Sequence, residues 1–573
     1  MAGLKRTLGR RSAMRLAGVA GGGLSAAYLL ACGGGGQKGA KEVTLPAPAP
    51  VTTAAAQQAP VRDAKAGGTL RLTAVPNPAQ YSHLDPHAWT QTTDFTNPIG
   101  NGLLKRSMFP PPKYQIVPDV AVSYEQPDEL RYSFKLQQGV KFHNIAPVNG
   151  REMTSEDVKY SIERIATNDP KFFRKAEFAG AVVETPDKYT VILRTPKPAA
   201  GILDKLSTWG TYIFAKEYVE GVEGGLIKST KPVPGTGPFI HDEFILDQSM
   251  KFKKNPDYWK KGFPYVDRIE HVPNTDTQKL VAAFKAKQLD IVDRLLHPQI
   301  VDIEKAVPDA KVLRQEGVQT QRVTFNLRQK PWDDVRVRKA VHLAINRQQI
   351  IQAGWYGVEA VMAGWGGLNQ TVHGAAAFSR TELEQNPGYR KEKAEDLRTA
   401  KQLLTAAGIT TLKLDMPFSI FGDNPQEPIH AQVVQTNLKE IGIEVNLVTK
   451  QYADTLAILA GNDWGIYDTR QQATGIDPDA FLDVYHTRTG SRNYGKWDNA
   501  RFNDLFVQQG QTVDNQKRAA IVKDMIKLAE EEVPHAWTIN WLVNVIHQQR
   551  VQNRGIAVVY PSEYEPEIIW LDG

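Results

Sequence analysis

The residues able to do chemistry are few and poorly grouped. His83 and His87 stand four apart, a spacing that puts two imidazoles on one helical face as a metal site would need. Pro86 lies between them, so Leu84-Asp85-Pro86-His87 is predicted to be a turn and the histidines structural. Asp333-Asp334 fits a helix start, where carboxylates meet the positive end of the helix dipole. Glu530-Glu531-Glu532 fits a solvated helix end. There is no nucleophile elbow, phosphate-cradling glycine loop, HExxH motif or acidic calcium loop. The sequence therefore assigns no catalytic residue, no metal site and no cofactor.

The one thiol is placed for a different chemistry. Residues 1–31 carry five cations (Lys5, Arg6, Arg10, Arg11, Arg15) and no acid. Arg10-Arg11-Ser12-Ala13-Met14-Arg15 reads as a twin-arginine export signal, with general secretory export as the alternative. The apolar run Leu16–Ala31 falls short of the ~20 residues a membrane span needs. It ends in Leu29-Leu30-Ala31-Cys32, which looks like a bacterial lipobox, with cleavage before Cys32 and a diacylglycerol on its sulfur. Cys32 is the single cysteine, so the exported body has no disulfide and no thiolate metal site. Without the leader's five cations the chain holds 64 basic and 63 acidic residues, a net of +1, which removes any charge argument for nucleic-acid binding.

Residues 32–66 are expected to be the lipidated Cys and a disordered tether, since Gly33–Gly36 and Pro46, Pro48, Pro50 and Pro60 among Ala, Thr and Gln bury little. The folded body is predicted from about Gly67 onward, long enough for two or three cores. Leu70, Leu72 and Ala74 alternate as a strand does, and so do Tyr132, Phe134 and Leu136. Thr154 with Asp157 opens a helix bearing Val158, Ile162 and Ile165. Asp276 and Asp334 precede similar helices. Leu397, Ala400 and Leu404 stop at Gly408. Val434, Leu438 and Ile441 stop at Gly442, where Ile443, Val445 and Leu447 begin to alternate. Ile521, Met525 and Leu528 mark a late helix before Pro534. Helix, glycine stop, strand is the grammar of an α/β body. Trp89, Trp209, Trp365, Tyr494 and Trp497 lie beside Gly, Pro or other turn residues and could supply rigid contact area to a cleft, or simply pack a core.

Six segments, in order, resemble one family. They are Gly68-Thr69-Leu70-Arg71 with Leu84-Asp85-Pro86; Val117-Pro118-Asp119 through Gly139-Val140-Lys141-Phe142-His143; Met153 to Val158; Gly235-Thr236-Gly237-Pro238-Phe239; Asn255-Pro256-Asp257-Tyr258-Trp259; and Phe325-Asn326-Leu327 with Asp334 to Ala340. The series is similar to the solute-binding proteins of oligopeptide, dipeptide and nickel ABC importers, extracellular solute-binding protein family 5. The resemblance implies an α/β, two-lobed periplasmic-binding-protein-like fold with an extra subdomain on the first lobe. Lobe 1 would comprise 67–95, 233–318 and 545–573, the inserted subdomain 96–232, and lobe 2 319–544. Gly235 and Gly237 suit a close crossing near a hinge. Arg336 and Arg338 are predicted on an outward helix face.

The same resemblance implies a monomeric, lipid-anchored protein of the cell envelope, outside the cytoplasm, in the periplasm where there is an outer membrane. It would trap a small solute between its lobes for an ABC permease and convert nothing. Peptides lead as the solute, with oligosaccharides, opine-like compounds and metal chelates as alternatives; an extracytoplasmic hydrolase is the reading from another class. Peptide-binding relatives place an Asp, three residues before an Asp-Pro or Glu-Pro step, against the peptide ammonium. Here that position is Thr474, before Asp477-Pro478, a neutral hydroxyl where a charge partner is wanted; Asp468 or Asp477 could substitute from nearby. The candidate cleft residues are Trp365, Thr474, Asp477, Asn326, Trp89 and Arg470, the last to meet a carboxylate.

Overall fold

The protein divides into Met1–Ala49 and Pro50–Gly573. A computed structural model describes residues 51–54, 63–74, 85–88, 93–108, 115–167, 169, 171–172, 174–227, 232–245, 248–273, 276–420, 424–473, 475–559 and 563–573, all in the second unit. The leader, Cys32, His83, Trp89 and Thr474 lie outside them.

Local signals and long-range pairing agree along most of this body. Asp276 and Asp334 accept backbone N–H groups from the first turns of the helices Thr277–Lys285 and Val335–Ala344. The Asp157 carboxylate accepts the Thr154 N–H at the head of Ser155–Ala166. Ala394–Ala406 and Gln426–Lys439 end just before Gly408 and Gly442, both at positive φ (76° and 89°).

Twenty strands among the described residues form four sheets. One is antiparallel, in the order β1 (Val51–Ala54), β5 (Ala121–Asp128), β6 (Arg131–Leu136), β8 (Thr190–Arg194), β7 (Val182–Asp187). Beside it β3 (Leu104–Ser107) pairs β4 (Gln115–Pro118). The large sheet runs β16 (Ile443–Gln451), β15 (Leu412–Ile420), β17 (Ile466–Gln472), β13 (Lys311–Phe325), β18 (His535–His547), β12 (Ile291–Asp293), β2 (Thr69–Ala74), β11 (Arg268–Pro273), β10 (Ser249–Lys254), β9 (Phe239–Ile245). A short β14 (Ala360–Met362) adds to β18, and β19 (Val551–Gln552) pairs β20 (Trp570–Leu571).

This large sheet is two sheets joined by two shared strands. Lys311–Glu316 of β13 pairs with 542–547 of β18, and Thr320–Thr324 pairs with 535–540; the register breaks between. At the break a Cβ on Gly317 would lie 2.8 Å from Val543 Cγ2. On one side of the break stand β12, β2, β11, β10 and β9; on the other, β17, β15 and β16. The body is thus a two-lobed α/β fold, with the five-stranded sheet as an extra subdomain. Lobe 2 has its own core around Trp355, Trp365, Phe481 and Trp537. Lobe 1 and the inserted subdomain share another, running from Leu70 through Phe134 to Phe252.

Residues 565–572 close lobe 1, while Val558 and Val559 just before them pack into the lobe 2 core. Lys105 pairs with Glu565 and Glu567 at 2.8 Å each, and Lys260 bridges Asp119 (3.0 Å) and Glu567 (3.3 Å), all buried or nearly so. Lys65 pairs with Asp572 near the other end of the same segment.

Four expectations change. Val51–Ala54, inside the expected tether, is an edge strand on β5, because its Val-Thr-Thr suits extended pairing better than its surroundings suggested. Arg338 is buried, not outward: it donates to the carbonyls of Trp332, Glu532 and Val533 and so satisfies the end of the helix Asn515–Glu532. The end of that helix is only partly solvated, since Glu532 accepts Trp497 Nε1 and Asn499 Nδ2. Gly235 and Gly237 sit against the end of the helix Thr93–Ile99 rather than at the strands joining the lobes; the Gly237 N–H donates to the Ile99 carbonyl at 2.9 Å.

A Cβ on Gly235 would stand 1.8 Å from the Ile99 oxygen. Gly235→Ala must therefore move backbone, and a loss of about 3 kcal/mol or more is expected. Urea midpoints of the two proteins check this, and an unchanged midpoint refutes it.

Candidate functional site

In lobe 2, β15 runs parallel to both β16 and β17. Their carboxyl ends bring Gln451 and Gln472 with the following Gly475 to one edge. Backbone carbonyls and helix N-termini converge at such an edge, which is where open α/β sheets receive ligands. The inserted subdomain reaches this edge. A Cβ on Gly475 would lie 2.9 Å from Asp204 Oδ2 and 3.5 Å from Arg106 Nη2, and one on Gly201 would lie 3.1 Å from Asp477 Cγ. The Ala200 N–H donates to the Gly510 carbonyl across the same boundary.

A buried ion network fixes the contact. Arg106 on β3 donates Nε (3.2 Å) and Nη2 (2.8 Å) to Asp204 Oδ1, and Asp204 Oδ2 accepts the backbone N–H of Asp477 at 3.2 Å. Asp477 in turn holds Arg518 by two 2.6 Å bonds, and Arg518 also reaches Asp479 at 3.2 Å. Burial works to raise the Asp477 carboxyl, but the bonds and charge of Arg518 outweigh it and its pKa is lowered. Asp479 takes the opposite shift: burial, then the neighbouring Asp477 charge, push it up to about 6. Of these two neighbours Asp479 is thus the one that takes up a proton more readily.

Of the residues singled out by sequence, Asp477 alone among the described ones stands at this boundary. Asn326 is fully buried and its amide is spent locally: Nδ2 donates to the Trp464 carbonyl, and Oδ1 accepts from Arg328. Trp365 lies in the lobe 2 core near His342, 1% exposed. Arg470 leans over the Tyr452 ring (5.5 Å) with its Nε 3.5 Å from Glu427, at the carboxyl edge but already opposite a carboxylate. Asp468 accepts from Gln321 Nε2 and pairs with His430 at 2.6 Å, inside lobe 2. Trp209 and Trp497 are likewise buried. His87 is structural, bonded to the Tyr212 carbonyl and the Arg164 guanidinium. Among the described residues no group of three potential ligands could hold a metal.

Sequence reasoning missed Arg106, Asp204 and Arg518, whose partners lie 98, 273 and 41 residues away. It also missed Arg322, a fully buried cation on β13 that stacks on Tyr485 (4.7 Å) and Trp537 (5.1 Å). Burial lowers its pKa to about 10, so it stays charged at neutral pH. Burial and the Arg322 charge together hold His486 down to about 3 and His535 well below its usual range, so both are neutral.

Two lobes, an inserted subdomain and a polar junction at the carboxyl edge set the frame for comparison with known proteins. The model of bacterial extracellular solute-binding proteins, family 5 (middle), matches residues 115–493. The chain belongs to this family. It is 26% identical to di/tripeptide-binding protein 1 of Pseudomonas aeruginosa over 509 residues, 83% of this chain and 91% of that one. It is 27% identical to heme-binding protein A of Haemophilus influenzae over 448 residues, 73% of this chain and 78% of that one. The structure of the binding protein AgaA of A. tumefaciens R10 with agropinic acid superimposes with a TM-score of 0.71 at 24% identity, covering 88% of this chain and 99% of that one. The family 5 chain described here is accordingly a solute-binding protein, and no helix among its described residues is long and apolar enough to cross a membrane.

The Asp479 shift has a definite sign. Its folded pKa lies above the unfolded value of about 3.9, so its contribution is fully present below about pH 4 and is lost as pH rises through about 6. Asp479→Asn should flatten the pH dependence of unfolding between those values. Denaturation series at pH 4, 5, 6 and 7 measure this; equal slopes in both proteins would count against it.

Proposed function

We propose that this protein is a lipid-anchored, extracytoplasmic receptor that closes its two lobes on a small solute and hands it unchanged to an ABC permease. The observation that carries the reading is the joining of two separately cored lobes by β13 and β18, with the ion network of Asp204, Asp477 and Arg518 across the boundary they leave. Closure of such a body is a population shift, driven by contacts that exist only when both sides meet the ligand. A lipid on Cys32 keeps the receptor beside its permease; two or three acyl chains hold stably where one does not.

Peptides are the leading solute, supported by the di/tripeptide-binding relative. The two acids that could replace the ammonium partner are both engaged, Asp477 by Arg518 and Asp468 by His430 and Gln321. That favours capture by groups other than the peptide N-terminus, and keeps an opine-like acid in view, as in the AgaA complex.

Mass spectrometry of small molecules retained through native purification tests the solute: a pool of short peptides supports the leading reading, and a single sugar or chelate rejects it. Growth with labelled palmitate should label the wild type and leave Cys32→Ala unlabelled and released from membranes; a labelled C32A protein would rule out the anchor. Asp204→Ala deprives Arg106 and the Asp477 N–H of their acceptor, so the unliganded protein should expand in small-angle scattering while the solute-bound form does not. Identical unliganded profiles would remove the network from the closing contacts.

A further inference from the structure

We infer that Arg322 is an anchoring residue for a carboxylate of the captured solute, which makes that solute an acid. The inference rests on the solute-capture reading and deepens it. Arg322 is 0% exposed, and none of its three guanidinium nitrogens has a hydrogen-bond partner among the described residues. Among the described residues, those whose charge acts on it are Arg492, of like sign, and the hydroxyls of Tyr485 and Tyr494, with no carboxylate among them. Asp468, one position along the neighbouring strand, is consumed by His430 and Gln321. His486 and His535 beside it are neutral.

An uncompensated buried cation is among the costlier things a fold can hold. The two aromatic faces on Arg322 recover part of that cost, because a ring quadrupole attracts a cation, but they leave the in-plane N–H groups unmet. Those groups form a planar fork that matches a carboxylate in two parallel bonds. The fork is also within reach of the carboxyl edge. The Tyr485 hydroxyl donates to the Gln472 carbonyl at the end of β17 and accepts from Arg492 Nη1 at 3.1 Å. Arg492 and Tyr494, both half-buried, flank this ring. Arg322 therefore stands one aromatic ring behind the edge that meets the inserted subdomain, and a carboxylate entering beside Tyr485 would meet two guanidiniums.

The test uses the purified full-length protein with three probes, glutarate, Ala-Leu and Ala-Leu amide, followed by fluorescence of the buried tryptophans and by thermal shift. Wild type should bind at least one acid, and should bind Ala-Leu about thirtyfold or more tighter than its amide. Arg322→Met should lose that preference, and Arg322→Lys, which keeps charge without the fork, should retain a fraction of it. The acid–amide ratio on wild type is informative even where a variant fails to fold. Equal binding of acid and amide, full acid affinity in R322M, or a neutral solute co-purifying with the protein would each overturn the inference while leaving solute capture standing. If no probe binds and nothing co-purifies, both readings fall.

Discussion

Anything this molecule does with a solute depends on β13 and β18 remaining bonded to each other while their two halves serve different sheets. A continuous ladder of that length would lock the lobes into one twisted slab. The register break between Glu316 and Thr320 interrupts it, and Gly317, pressed against Val543, lets the strands stay in contact there without a side chain between them. The lobes keep separate cores on either side. The break, where Val558 also packs against Gly317, is therefore the point in this ladder at which the two halves part.

The polar boundary follows from the same arrangement. Because β15, β16 and β17 point their carboxyl ends the same way, lobe 2 offers its loops and helix starts at one edge, and the inserted subdomain brings Asp204 to it. Charges buried there are useful only in company: Arg106, Arg518, Asp204, Asp477 and Asp479 each have an opposite partner. Arg322, a short distance behind, is the exception among them, and its isolation is what separates a binding group from a structural one.

Much of the fold was legible because it is written locally. The acids at 157, 276 and 334 and the glycines at 408 and 442 act within four residues of themselves, and each ends or begins a helix where the pattern places it. The site was far less legible. Arg338 lies next to Val337 and reads as solvent-facing until the end of another helix, nearly two hundred residues on, is laid across it. Trp365 beside two glycines has the same local look whether it lines a cleft or fills a core. Arg322 sits in a polar stretch, Gln319 to Arg322, that resembles an exposed strand; its burial is conferred by Tyr485 and Trp537. Asp477 was found through its Pro, a local mark, while its partners Asp204 and Arg518 carry none.

The pairing of Lys105 and Lys260 with Glu565 and Glu567 has a consequence for how the chain is made. Lys105 pairs with Glu567, 462 residues further along the chain, and with Glu565 beside it, while Lys260 shares Glu567 with the much earlier Asp119. Until residues 565 and 567 are made, Lys105 stands without either of these carboxylates, whereas Lys260 already has Asp119 and lobe 2 already has β13, β15, β16 and β17. A chain that stopped before residue 565 would thus be sounder in its middle than at its beginning.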